Sequence, residues 1–298
     1  MASPRFEALL AAIKEPLVGP DDPLDVARRK LEAVHGHPIR DTTRVTWTQL
    51  GGVRCAWVDT PESVATDRIL LLCHGGAWIA AGGDGYLFYA EMLARACPAH
   101  VLLVDYRLAP EHRHPAALDD CVDAWRGLLA LGQAPARVAW IGDSCGGGLV
   151  IASLLRLRDA GEPMPALGVS LGGWLDLEAS GDAAREPAGW DPFASAAFIR
   201  ARARDYAGPE ADLRDPLLSP IHADPTGLPP LFLQVGQVDL TRDDAVRMAD
   251  LAGRAGVDVT LAIHPEMIHG FQGLAGAGIP EAERAIDQVA EAVRGRIP

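Results

Sequence analysis

Lysine is nearly absent from this sequence: Lys14 and Lys30 are the only two, and the remaining basic charge is carried by Arg. Acids outnumber Lys plus Arg by 40 to 27, which gives a net charge of −13. Nucleic acid and anionic membranes both reward clustered Lys and Arg, so neither is expected as a partner. Long apolar runs are also missing. The first one, Ala8 to Ile13, ends at Lys14 and Glu15 and is too short for the core of a signal peptide. No window approaches the ~18–20 apolar residues of a membrane span, so a cytoplasmic protein is expected. Cysteines are few and unpaired by pattern: Cys55, Cys73, Cys97, Cys121 and Cys145 are odd in number and widely spaced. They form no C-x-x-C pair and no Cys/His group at metal spacing, which argues against a disulfide framework and against a metal site. Buried free thiols in a reducing compartment are the expectation.

What is present is apolar texture of a particular kind. An apolar fraction of 49% is ample for a large core. Phe6, Leu9, Leu10 and Ile13 recur at helical spacing, Gly19-Pro20 interrupts, and a second helix runs from about Pro23 to Gly36. Two alternating runs, Thr43 to Gln49 and Val53 to Asp59, are split by Gly51-Gly52 and predict an antiparallel hairpin. Six continuous apolar runs follow, at 69–73, 101–104, 138–141, 167–171, 231–235 and 257–263. Most are separated by segments of helical period, at 86–96, 117–131, 149–159 and 243–255. Short, fully apolar strands alternating with helices predict an α/β fold: a mostly parallel, eight-stranded sheet covered on both faces. Residues 176–225 carry no such strand and predict an inserted helical segment. The core would then comprise residues 43–175 and 226–298. No internal repeat is present.

Gly142-Asp143-Ser144-Cys145-Gly146 follows the run 138–141 directly and precedes a helical stretch. This is G-x-S-x-G in the strand–turn–helix setting that exposes a nucleophilic Ser. The tight turn requires neighbours without bulk, and the helix N-terminus favours developing negative charge. The alternative is a glycine-rich packing turn, which the context makes the weaker reading. His74-Gly75-Gly76-Ala77-Trp78 follows the run 69–73. Consecutive glycines past a parallel strand let backbone N–H groups approach a ligand, so Gly75, Gly76 and the N–H of Cys145 are the expected oxyanion donors.

A nucleophilic Ser needs a base, and the base needs an orienting carboxylate. Among nine histidines, His269 lies just past the last strand and comes last in the order Ser, Asp, His. His264, at the strand itself, is the runner-up. Asp239 is the first carboxylate beyond the run 231–235. Asp243 and Asp244 open the next helix, where acids complement the helix dipole in any case. Ser144, Asp239 and His269 are thus the expected catalytic set. Trp78, Tyr86, Trp174 and Phe198 are candidates for a substrate pocket, although each could equally be plain core.

These residues resemble the bacterial hormone-sensitive-lipase-like esterases, a branch of the α/β-hydrolase fold. The resemblance rests on His74-Gly75-Gly76-Ala77, Tyr106-Arg107-Leu108-Ala109-Pro110-Glu111-His112, Gly142 to Gly147 and His269-Gly270-Phe271, in the family's order from about residue 70 onward. It implies a serine carboxylesterase acting on short-acyl esters through an acyl-enzyme, without cofactor or metal. It also implies that residues 1–42 supply part of a cap completed by 176–225. Cys145 stands where the family usually has Ala and is expected to crowd the pocket or sensitise it to thiol reagents. Gly173 stands where Pro is usual, an expected loosening of the cap's entry. Arg107 and Glu111 are expected to pair with each other as a brace. Lactone or amide hydrolysis, and a catalytically silent ligand-binding relative, remain alternatives. A homodimer through an edge strand is compatible with the sequence.

Overall fold

The computed structural model describes residues 2–185, 189–193 and 195–297. Two helices lead, α1 (Pro4–Ala12) and α2 (Leu24–His35), then the hairpin β1 (Arg44–Leu50) and β2 (Val53–Asp59). The chain then alternates: β3 (Ile69–Cys73), α3 (Leu87–Ala96), β4 (His100–Val104), α4 (Ala116–Ala130), β5 (Val138–Asp143), α5 (Cys145–Asp159) and β6 (Leu167–Leu171). After an insertion carrying α6 (Ala196–Ala207) come β7 (Leu231–Gly236), α7 (Arg242–Arg254), β8 (Val259–His264) and α8 (Pro280–Arg296).

The eight strands form one sheet in the order β1-β2-β4-β3-β5-β6-β7-β8. The β1–β2 and β2–β4 pairs are antiparallel, and every later pair is parallel. The expected α/β architecture, with a hairpin followed by a parallel run, is the one found. All five residues of β3 are buried, and they alternate between two cores. Ile69, Leu71 and Cys73 face the side of Trp125 and Trp140, while Leu70 and Leu72 face the side of α3 and α8. Burial on both faces explains why the strand is apolar at every position. Each buried Leu there contributes roughly 1.5–3 kcal/mol.

The strand–helix alternation alone does not mark α8. Its apolar stripe, Ala282, Ala285, Ile286, Val289, Ala290 and Val293, is buried against the sheet. α8 also anchors the N-terminus. Ser3, the N-cap of α1, gives its N–H and hydroxyl to Glu281 at 2.8 Å each. No helix among the described residues is long and apolar enough to cross a membrane.

Two of the expected contacts differ. Arg107 does not meet Glu111; its guanidinium grips Asp120 on α4, with Nε and Nη2 at 2.8–3.0 Å. Glu111 instead binds Arg28 of α2, which also donates to the carbonyls of Ile79 and Ala109 at 2.7 and 2.8 Å. The motif therefore ties an N-terminal helix to the loop after β3, a long-range partnership that spacing cannot reveal. The substitution at Gly173 does not loosen the chain either. A Cβ there would sit 2.1 Å from Ser170 Oγ, so glycine permits a close packing against β6. Asp244 accepts the N–H groups of Leu175 and Asp176 just beyond, at 3.1 and 3.0 Å. Asp243 Oδ2 takes that of Ala183 at 2.6 Å. Both carboxylates secure the entry to the insertion.

Candidate active site

The carboxyl ends of β3, β5, β7 and β8 converge on one cavity. At the end of β5 the backbone turns sharply through Ser144, whose φ of 53° and ψ of −129° lie where non-glycine residues rarely sit. Such a conformation costs on the order of 1–3 kcal/mol and persists only when the surroundings over-determine it. Here they do. Ser144 N–H donates to Leu171 O at 2.8 Å, and Ser144 O accepts from Gly147 and Trp174 at 3.0 and 3.1 Å. The flanking glycines are obligatory for close approach. A Cβ at Gly142 would lie 2.3 Å from Gly146 O, and one at Gly146 would lie 2.1 Å from Cys73 O.

His269 Nε2 lies 2.9 Å from Ser144 Oγ, and its Nδ1 lies 3.0 Å from Asp239 Oδ2. The two loops that supply His269 and Asp239 can meet because Gly236 has no side chain. A Cβ there would sit 2.2 Å from Met267 O. Asp239 is further fixed by Thr241, whose N–H and hydroxyl donate to Oδ1 at 2.8 and 2.9 Å. Both Asp239 and His269 are buried. Burial acts to lower the His269 pKa, but the adjacent Asp239, with Asp191 and Asp143 beyond it, outweighs burial and raises it to about 9. Of the residues expected on sequence grounds, the structure brings Ser144, His269 and Asp239 into one hydrogen-bonded series. His264 points elsewhere, to Gln288 at 3.0 Å. A hydroxyl, an imidazole and a carboxylate in series can transfer a proton from the hydroxyl as it attacks a carbonyl carbon.

The loop after β3 passes beside this series. Gly76 and Ala77 line the cavity. Gly75 lies behind it, packed so closely that a Cβ there would sit 2.5 Å from Tyr86 Oη and 2.8 Å from Asp143 Oδ2. Ala77 and Trp78 are held at φ of 54° and 60°, a strained run for residues with side chains. His74 braces the loop from below. Its ring stacks on Tyr106 with centroids 4.0 Å apart, and Tyr106 Oη donates to His74 O at 2.7 Å.

The cavity encloses about 120 Å³. Trp174 and Phe198 line it as expected, with Phe193 from the insertion and Phe88, Tyr89, Phe271 and Leu274 from the core. Trp78 and Tyr86 do not reach it. Trp78 lies behind the wall, stacked on Tyr206 at 4.3 Å, and Tyr86 is fully buried against Asp143. Leu31, Val34, His35 and His37 of the N-terminal segment do line it. The spacing of 31, 34 and 35 on α2 was the available signal, since these positions share one helix face. Burial, together with neighbouring histidines, lowers the His35 pKa to about 4, so it is neutral at physiological pH. The thiol of Cys145 points away from the cavity. Its Sγ accepts the Trp78 N–H at 3.2 Å and lies 3.8 Å from Tyr106 Oη.

Comparison with known proteins agrees with this architecture. Residues 70–273 match the Abhydrolase_3 family model, described as alpha/beta hydrolase fold. An acetyl-hydrolase of Streptomyces hygroscopicus is 36% identical over 294 residues, 96% of this chain and 95% of that protein. An esterase of Acinetobacter venetianus is 32% identical, covering 85% of this chain and 83% of its own length. A crystal structure of an esterase from the bacterial hormone-sensitive lipase family superposes with a TM-score of 0.92 at 37% identity, over the full length of both chains. The chain therefore belongs to the Abhydrolase_3 family of the α/β-hydrolase fold and is a carboxylic ester hydrolase of the bacterial hormone-sensitive-lipase type.

Proposed function

We propose that the chain hydrolyses small, short-acyl esters with Ser144 as nucleophile, His269 as base and Asp239 as the carboxylate that orients it. The observation that carries this reading is the continuous series from Ser144 Oγ to His269 to Asp239, at 2.9 and 3.0 Å. Ser144 Oγ attacks the ester carbonyl as its proton passes to His269 Nε2. The carbonyl oxygen becomes an anion, held by the N–H groups of Gly76 and Cys145. In this reading Ala77, the next cavity-lining residue, is the second donor from the loop, and Gly75, the donor expected from the sequence, packs behind the wall against Tyr86 and Asp143. The imidazolium returns its proton to the departing alkoxide, leaving an acyl group on Ser144. Water, deprotonated by the same imidazole, releases the acid and restores Ser144.

The enclosed cavity supports a compact substrate, and its aromatic wall contains no Lys or Arg among the described lining residues, which favours a neutral one. Residues 1–42 and 176–225 act together as its cap, since Leu31, His35, Phe193 and Phe198 all contribute to the wall. An open β8 edge with a half-exposed Ile263 is where a second copy would add to the sheet. The cytoplasmic assignment rests on the unpaired cysteine pattern of the sequence.

Hydrolysis of p-nitrophenyl acetate by the wild type, Ser144→Ala and His269→Ala tests the mechanism. Each variant should lose roughly 10⁴–10⁶-fold in kcat, and the double variant should be no worse than either alone. A wild type no faster than Ser144→Ala would overturn the reading.

A further inference from the structure

The three-residue series leaves one contact to the base unexplained. Asp191 belongs to the insertion, ahead of α6, and its carboxylate reaches into the site from the cap side. Oδ2 accepts the backbone N–H of His269 at 2.7 Å, and Oδ1 accepts that of Phe193 at 2.8 Å. A single carboxylate thus joins a wall residue of the cavity to the residue whose ring faces Ser144. We propose that Asp191 is a positioning residue for His269, one that locks the loop carrying the imidazole only when the cap is seated over the site. This inference rests on the esterase reading above and extends it from three residues to four.

The loop needs such a lock. Glu266 and Gly270, on either side of His269, have φ of 65° and 66°, so the segment is an irregular turn with no strand partner of its own at the imidazole. A backbone N–H donated to a carboxylate is among the strong hydrogen bonds, and it fixes the Cα from which the ring projects. Asp239 restrains the ring at Nδ1, whereas Asp191 restrains the main chain. The two act on different degrees of freedom of the same residue.

Electrostatics follow from the same placement. The titratable groups facing His269 are Asp239 from the loop after β7, Asp143 at the end of β5, His35 at the end of α2, and Asp191 from the cap. Three are carboxylates and the fourth is a neutral imidazole, so each carboxylate lost makes the imidazolium less favoured. Burial, with the charge of Asp239 added, raises the Asp191 carboxyl to about 6. Above that pH the clamp is an anion, and below it the clamp weakens.

The decisive experiment follows the His269 ring by NMR as pH is varied, in the full chain and in Asp191→Asn, with the resonance assigned by its loss in His269→Ala. The titration midpoint should fall in Asp191→Asn, because a nearby negative charge has been removed at nearly constant volume. An unchanged midpoint overturns the proposal. This readout needs no turnover, so it decides the question even if the wild type fails to hydrolyse esters. Steady-state kinetics on p-nitrophenyl acetate supply the second arm. Asp191→Ala should lose on the order of tenfold or more in kcat, as a displaced catalytic group does. Its KM should change by less than about threefold. Asp191→Glu, which keeps the charge, should recover part of the loss. A kcat in Asp191→Ala equal to that of the wild type overturns the positioning role. If Asp191→Ala does not fold, as judged by thermal melting, Asp191→Asn still decides through the titration arm.

Discussion

Tyr86 Oη donates a 2.5 Å hydrogen bond to Asp143 Oδ2, between two buried side chains immediately behind the turn that carries Ser144. Asp143 precedes Ser144, and Gly75 packs closely against both Tyr86 Oη and the Asp143 carboxylate, so the pair supports the elbow and the loop after β3 at once. Burial raises the Asp143 carboxyl to about 6, and the Tyr86 hydroxyl is the strongest influence opposing that rise.

Tyr86→Phe should therefore cost about 1.5–3 kcal/mol of stability, the usual worth of a hydrogen bond to a charged group. The cost should depend on pH in a defined direction. A carboxyl whose folded pKa is raised is most compatible with folding when protonated, and that compatibility is lost as pH climbs through the folded value. The variant raises it further, so urea denaturation should show a larger deficit at pH 8 than at pH 5. A deficit that does not grow with pH would mean that Asp143 is not the group Tyr86 serves.

The sheet and the Ser–Asp–His series were readable because each depends on local facts: fully apolar strands, a glycine-flanked Ser, and the first acid or His past a strand. Side-chain direction was less readable. Trp78, Tyr86, Trp174 and Phe198 are equally aromatic, yet only Trp174 and Phe198 face the cavity, because which side of a wall a ring occupies is set by the tertiary packing around it. Gly75 and Gly76 look interchangeable in the sequence, but Gly75 packs against Tyr86 and Asp143 behind the wall while Gly76 lines the site. Asp191 carries no local signature at all. Its importance arises only when the insertion folds back over His269.

The pH dependence of catalysis follows from the carboxylates around His269. In the role proposed for it His269 must be neutral to accept the Ser144 proton, and its pKa is raised from 6.5 to about 9. Consequently kcat/KM for p-nitrophenyl acetate should rise through the alkaline range, with its midpoint well above 6.5. The corresponding stability contribution runs the other way, full below 6.5 and lost as pH rises through about 9. An activity limb centred at or below 6.5 would show that Asp239 does not hold the imidazole as a charged partner. Asp239→Asn should move that limb down and lower kcat by about 10⁴-fold.

Cys145 was expected to crowd the pocket or to make it thiol-sensitive, and its surroundings favour neither. Burial raises the thiol to about 12, and the side chain is fully enclosed. The thiolate is the reactive species, so a thiol kept protonated and covered is inert. Iodoacetamide at pH 8 should leave activity intact over the time in which an exposed thiol is fully alkylated. Cys145→Ala should retain activity within about tenfold, since the oxyanion contact proposed for this residue is its backbone N–H and not its sulfur. Rapid inactivation that Cys145→Ala abolishes would show that the elbow opens far enough to admit the reagent.

Acyl-chain preference should be set by the cap wall, and Phe198 is the place to change it. Phe198 projects from α6 into the cavity, edge-on to Trp174 with centroids 6.1 Å apart. At about 120 Å³ the cavity is somewhat smaller than the ~150 Å³ apolar void that admits benzene, so butyrate should be preferred to decanoate. Removing the ring extends the cavity toward the cap, and each further methylene buried there gains about 0.8 kcal/mol, roughly fourfold in kcat/KM. Phe198→Ala should thus raise decanoate hydrolysis relative to butyrate by about tenfold or more, with two or more methylenes newly enclosed. The truncation also removes a buried ring, at a cost of about 3–5 kcal/mol, so Phe198→Leu is the companion that separates reshaping from unfolding. Leu is shorter than Phe but keeps the helix packed, and it should move the ratio in the same direction by less. If neither variant changes the decanoate-to-butyrate ratio, the acyl chain lies along a different wall, and the N-terminal residues Leu31 and Val34 become the boundary to test.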